Sequence, residues 1–366
     1  MRPSMSYYRS LSSGKTLSLA ALALLVGIGC GGEDGVSQSA TAPTSTLPAD
    51  TAAIPTDSVP SAPDTTLLPP DSLVPPVDSS APDSVAMEPL IAAPGTLPGI
   101  PFGPNNMRAA AMTSTMYKGT QLGITAPNFL AELKAAKANH GRFVQKMAGK
   151  QDSDIKNADG TFSLAKWKKL VDGFRGLNFS SYIQDGTLMG HFLIDEPEHA
   201  ARWGGKAISQ ATVEEMARYS KQLWPTMITF ARGAPSWLAK APIQYRYLDA
   251  GWVQDYTFNR NVPTWIATET AAAKLKGLGM ITGVHVINGG NGSSGVPGTR
   301  PGKWNMSAAE IRTHGATLLK EPYACAFFLY TYLYGGSDYL ARSDIKAAVT
   351  ELWNKAKAHP RTSCRQ

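Results

Sequence analysis

The run Gly190-His191-Phe192-Leu193-Ile194-Asp195-Glu196-Pro197 constrains the fold of this chain more than any other stretch. A short continuous apolar run is the signature of a strand buried on both faces, as in a parallel sheet covered by helices. Proline has no N–H to offer a ladder, so the strand stops before Pro197. Two carboxylates are thereby stationed at the carboxyl end of a parallel strand, where α/β barrels assemble their sites. Glu196 is the first candidate for proton transfer, with Asp195 beside it. The plainer alternative makes one of the two acids a helix cap, with Pro197 at the first helical position.

The rest of the carboxyl-terminal part alternates in the same manner. Strand-like stretches fall at Ala109–Tyr117, Arg142–Ala148, His191–Ile194, Pro225–Ala231, Tyr245–Trp252, Ile281–Ile287 and Ala324–Tyr332. Helical stretches lie between them. One follows Thr125 and carries Phe129, Leu130, Leu133 and Ala136 before Gly141; another opens at Ser163. Thr212-x-x-Glu215 and Ser307-x-x-Glu310 resemble capping boxes, and a last helix spans about Ser343 to Ala358. This rhythm predicts a (β/α)8 TIM-like barrel over residues 105–366, with its eighth strand within 177–189 or before residue 109. A doubly wound open sheet competes, but no Gly-rich phosphate loop follows the first strand.

Upstream the composition changes. Arg2, Arg9 and Lys15 precede the apolar run Leu17–Val26, which is short for a membrane span. The following Gly27-Ile28-Gly29-Cys30 resembles a bacterial lipobox, with Gly27 where that pattern usually has Leu. The resemblance implies a signal peptide over 1–29, a lipid on Cys30, and a membrane-anchored place in the cell envelope, at the outer membrane or cell surface. An ordinary secretory leader with an incidental cysteine is the alternative. Residues 30–104 read as a disordered tether rich in Pro, Ser, Thr and Asp, too poor in apolar surface to offset its ordering entropy. Asp50, Asp57, Asp64, Asp71 and Asp78 recur every seven residues, but the prolines between them exclude a coiled coil.

Charge is divided unevenly. Three of the 35 basic residues lie in the leader and nine of the 28 acidic ones in the tether, leaving 32 basic against 19 acidic for folding. That balance suits an anionic partner or a solvated basic surface. No basic cluster with interleaved stacking aromatics supports a nucleic-acid partner. Cys325 opens the last strand-like stretch and Cys364 follows the last helix, which runs back toward that strand's start. The two are expected to meet as a disulfide in an oxidising compartment.

Gly-x-Phe-Leu-Ile-Asp-Glu-Pro resembles the strand end of glycoside-hydrolase-like TIM barrels. The resemblance implies Glu196 as general acid/base and Asp195 as its hydrogen-bonding neighbour. Those enzymes place a second glutamate at the end of a late strand. Here the corresponding stretches end in Asn288 and in tyrosines, Tyr332 last. Asp249 and Asp255, near the end of Tyr245–Trp252, are the substitutes for the second carboxylate that hydrolysis needs. Trp203, Trp237, Trp252, Tyr256 and Trp304 fall in or near strand-to-helix loops and suit stacking on a sugar, or else packing. His285, Asn288 and Tyr332 join Trp237, Trp252 and Tyr256 as candidate substrate-binding residues. His285 on an apolar strand is also compatible with a satisfied core position, and His191 reads as structural.

No His-x-x-x-His spacing indicates a metal, no Gly-x-Ser-x-Gly elbow a serine hydrolase, and no cofactor is indicated. The expected function is that of an envelope-anchored glycoside-hydrolase-like protein acting on a poly- or oligosaccharide by carboxylate acid/base catalysis. A non-catalytic carbohydrate-binding lipoprotein and a structural envelope protein are the alternatives. The sequence identifies no protein partner.

Overall fold

The computed structural model describes residues 98–257, 261–360 and 362–365; the leader, Cys30 and nearly all of the expected tether lie outside them. Eight parallel strands form one sheet: β1 (Phe102–Pro104), β2 (Gly119–Leu122), β3 (Arg142–Lys146), β4 (Leu188–Asp195), β5 (Thr229–Arg232), β6 (Ala250–Trp252), β7 (Gly279–Val284) and β8 (Ala324–Leu329). Neighbours run β1-β8-β7-β6-β5-β4-β3-β2. The seam between β1 and β2 is bridged by Lys118 N to Phe102 O at 3.0 Å and Asn106 N to Gln121 O at 2.9 Å. The chain is a (β/α)8 barrel.

The helices between the strands are α1 (Ala126–Ala138), α2 (Leu164–Asp172), α3 (Ser180–Gln184), α4 (Gln210–Leu223), α5 (Pro235–Leu238), α6 (Val262–Leu275), α7 (Ala308–Leu318), α8 (Gly336–Ala341) and α9 (Ser343–Ala358). Ser307 and Glu310 form the expected reciprocal capping box at α7. At α4 the cap is Ser209, whose Oγ accepts from Thr212 N at 3.1 Å, so this helix starts before the predicted Thr212 box. Val213, Met216, Ala217 and Ser220 then make its buried face, at helical spacing. None of the described helices is long and apolar enough to cross a membrane.

The start of the barrel differs from expectation. Ala109–Tyr117 is not a strand; it opens with a 3-10 turn at Ala109–Ala111. Three alanines in succession lack the β-branched bulk that fits a pleated wall. β2 takes the place of the expected Ala109–Tyr117, and the eighth strand is β1, before residue 109 and inside the segment assigned to the tether. Its residues are buried although that segment's composition is tether-like.

Three side-chain clusters divide the core. Val144, Phe192, Phe230, Trp252, Ile281 and Phe328 fill the lumen. Two outer clusters pack helices against the barrel wall. Cys325 and Cys364 are disulfide-bonded, with both residues in the lumen cluster at the amino-terminal floor. Gly190, the first residue of the diagnostic run, stands where β4 presses on the residue before β5: a Cβ there would lie 2.2 Å from the Ile228 carbonyl oxygen.

Candidate active site

Where β4 ends, its register on β5 slips between Phe192 and Ile194. Phe192 packs in the lumen, whereas Leu193 and Ile194 both join the outer core. Simple alternation from Phe192 would have turned Asp195 outward. The bulge restores it to the lumen side opposite Arg232. Glu196 follows at φ 48°, a left-handed conformation that is uncommon outside glycine. Three bonds pin its backbone: Glu196 N to Arg232 O at 2.9 Å, Trp203 Nε1 to Glu196 O at 2.9 Å and His199 N to Glu196 O at 3.2 Å. Neither acid caps a helix. The next turn, Ala200–Trp203, begins after His199 with no side-chain cap.

Two arginines hold the acids. Arg232, at the end of β5, pairs through Nε with Asp195 and through Nη2 with Glu196 Oε1 at 2.9 Å. Arg202 reaches Asp195 Oδ2 at 2.7 Å, Glu196 Oε2 at 2.8 Å and Asp152 Oδ2 at 2.6 Å. Burial would raise the Asp195 carboxyl, but Arg232, Arg202 and Lys146 together hold it below the ordinary aspartate range. Glu198, two residues on, is driven the other way. Burial raises its carboxyl, the Glu196 charge adds to this, and Oε2 is enclosed without a hydrogen-bond partner.

The facing wall carries no carboxylate. Gln254, two residues past β6 on the lumen side, accepts from Arg232 Nη1 at 2.6 Å through Oε1. His285, just past β7, is stacked on Tyr256, at 4.6 Å between ring centroids, and meets the tilted ring of Tyr330 on its other contact at 4.3 Å. Burial first, then the Arg232 charge, lowers the imidazole to about 3. Burial raises both tyrosine hydroxyls.

Several expected site residues lie elsewhere. Asp249 is on the floor: it precedes β6, bonds Thr229 N at 2.8 Å, and pairs with Lys221 at 2.6 Å and Arg365 at 2.9 Å. Thr229 begins the strand that Arg232 ends, so roughly 10 Å of β5 separates Asp249's anchor from the Asp195 level. Asp255 is fully buried and turned to the helix layer, where His314 on α7 meets it at 2.5 Å. It differs by one residue from the lumen parity of Trp252 and Gln254. Asn288 spends its amide on the following loop, donating to Thr299 Oγ1 at 2.8 Å and accepting from Arg300 N at 3.0 Å.

The aromatic residues divide between packing and the mouth. Trp252 fills the lumen between Phe192 and Phe328. Trp237 packs on the outer core, and Trp203 is the buried clamp under Glu196. Tyr332 lies beyond the lumen on the rim near Tyr117; Tyr330 occupies the place expected of it. Trp304 is partly exposed on the loop after β7. Of the expected residues, Asp195, Glu196, Tyr256 and His285 come together at one mouth. Arg202, Arg232, Gln254, Tyr330 and Glu198 were missed. Arg232, Gln254 and Tyr330 could have been found by alternation from the strand cores, Arg202 by no local pattern. His191 faces the helices, bonded to Ser220 at 2.9 Å and stacked on Trp167.

No protein-family model matches the sequence, and no curated protein matches it. Solved structures do. A cellulase–inhibitor complex is 11% identical with a TM-score of 0.48, over 71% of this chain and 92% of that one. A GH113 β-1,4-mannanase complex is 10% identical with a TM-score of 0.47, over 71% and 99%. A β-glucanase from Saccharophagus degradans is 12% identical with a TM-score of 0.46, over 72% and 88%. At such low identity these are likenesses of chain path, and the chemistry of the mouth has to be read from its own residues. Among the described residues no group of three His, Cys, Asp or Glu side chains could hold a metal ion.

Proposed function

We propose that this is a saccharide-binding barrel of the cell envelope, glycoside-hydrolase-like in architecture, whose ligand seats at the mouth beside Glu196. One observation carries the reading. The mouth joins polar groups to a layered aromatic wall, while the lumen-side positions past β6, β7 and β8 are Gln254, His285 and Tyr330, none of which is a carboxylate. Standard hydrolysis needs a carboxyl pair across the bond, about 5 Å apart when configuration is retained and about 6.5–9.5 Å apart when it is inverted. Asp249 and Asp255 do not form that pair with Glu196. Anchoring through a lipid on Cys30 is part of the proposal and rests on the leader-like segment and its lipobox resemblance alone.

A second reading, hydrolysis, is favoured by one feature. Asp195 and Glu198 are pushed in opposite directions, one held ionised by arginines and one made harder to ionise by burial. Divergent carboxyls of this kind are how one site supplies both an acid and a base. A glycan array run alongside reducing-end assays separates the readings. Binding without cleavage, in the native protein and in Glu198→Gln alike, supports recognition. Cleavage lost in both Asp195→Asn and Glu198→Gln supports hydrolysis. An array with no saccharide bound at all refutes both.

A further inference from the structure

The mouth's charged groups are unequally satisfied. Asp195 and Glu196 are matched by Arg232 and Arg202, so the acidic groups at the end of β4 are already neutralised from within. Arg300 is not matched in this way. Its backbone N–H is fixed by Asn288, itself left-handed at φ 73°, and its side chain is exposed and pairs with no carboxylate among the described residues. The bond to Asn288 keeps it on the loop after β7, at the mouth end of the barrel, and its charge is felt at Tyr256, His285 and Tyr330. The loop after β7 thus holds one cation that no carboxylate among the described residues compensates.

Below it, buried donors lack acceptors. Gln254 gives its carbonyl to Arg232, which leaves Nε2 enclosed with no partner. Trp252 Nε1, two residues earlier at the end of β6 and of the same lumen-side parity, also has none. Both side chains are at least nine-tenths buried. A buried N–H without an acceptor costs on the order of 1–3 kcal/mol, and a ligand that supplies the acceptor recovers it. Buried donors and an unpaired guanidinium call for a ligand rich in negatively charged oxygen.

We propose that the saccharide bound at the mouth is acidic, its ring carboxylate or sulfate held by Arg300 and the Gln254 amide, with Trp252 Nε1 as the deeper donor. This rests on the saccharide reading above and narrows it to anionic sugars. The excess of basic over acidic residues outside the leader and tether agrees in sign.

Titration calorimetry of the full chain at low salt provides the test, with three probes of equal length: an oligogalacturonate, a sulfated oligosaccharide and a neutral cello-oligosaccharide. At least one acidic probe is expected to bind ten-fold or more tighter than the neutral one, and the two acidic arms tell carboxylate from sulfate. Arg300→Gln and Gln254→Leu should each remove most of that preference. Arg312→Gln, which deletes the same charge on α7 where Arg312 pairs with Glu351 at 2.9 Å, should leave it intact. Equal affinity for neutral and acidic probes overturns the acidic assignment and leaves the saccharide reading standing. A preference lost equally in Arg312→Gln overturns it too, because the effect is then one of net charge. Failure of all three probes removes both proposals.

Discussion

Each end of the barrel carries an aspartate between two cations, buried on the floor and half-buried at the mouth, yet the two ends are built to opposite purposes. On the floor, Asp249 is met by Lys221, Arg365 and the Thr229 N–H, and the disulfide closes the lumen nearby. At the mouth, Asp195 shares Arg202 and Arg232 with Glu196, whose backbone is left-handed, and donors nearby remain unmatched. A buried ion pair is thus no mark of a site. The mark is a neighbourhood with unpaired polar groups and an unfavourable backbone held in place by its surroundings.

The largest expected effect breaks both ion clusters in turn. Asp249→Ala and Arg232→Ala each strand a buried charge and should cost about 3–5 kcal/mol in urea unfolding. Saccharide binding, measured where circular dichroism shows the variants folded, should survive the first and fail in the second. Loss of binding in Asp249→Ala would erase the distinction between the ends. Next in size is the floor disulfide. Its partners are 39 residues apart, so replacing both cysteines with alanine should cost about 3–4 kcal/mol in the chain-entropy account, with binding again retained.

A smaller effect concerns acid. Burial lowers His191 to about 3, so the unfolded chain takes up a proton below about 6.5 while the folded one stays neutral. This contribution is fully present above pH 6.5 and is lost as pH falls from there toward 3, reaching about 2 kcal/mol at pH 5. Asp195 adds an acid loss of the same sign, confined to lower pH, below the ordinary aspartate range. His285, lowered to about 3 as well, adds an equal loss over the same window, so His191→Phe should remove about half of the slope between pH 6.5 and 5; an unchanged slope would show that this histidine contributes nothing to it. Least of all, Trp203→Phe deletes the bond to the Glu196 carbonyl and should cost about 1 kcal/mol, with a measurable weakening of binding. Full affinity in that variant would mean the strained backbone does not need its clamp.

Much of the architecture was legible because burial on both faces leaves a compositional trace. β4, β7 and β8 are apolar runs, and α7 and α9 announce themselves through a capping box and a periodic face. β1 was hidden because three residues are too few to stand out in a Pro-rich context. Asp195 and Glu196 were placed at the mouth because a proline ends their strand. Asp249 and Asp255 were misplaced for two different reasons. Asp249 is at the wrong end of its strand, because only Ala250–Trp252 is ladder. Asp255 is at the right end with the wrong parity. Arg202 is brought in by a 3-10 turn that no periodicity foretells.

The slip between Phe192 and Ile194 gives β4 something like a reading frame. Substituting any one of its residues changes one side chain, but inserting one more residue between Phe192 and Asp195, with the start of the strand held in register, would exchange inside for outside at the two acids. The carboxylate would then enter the greasy seam behind the wall, and its neighbour would plug the opening. The chemistry of this barrel is therefore written in a count as well as in letters, and one added residue is the edit it is least able to absorb.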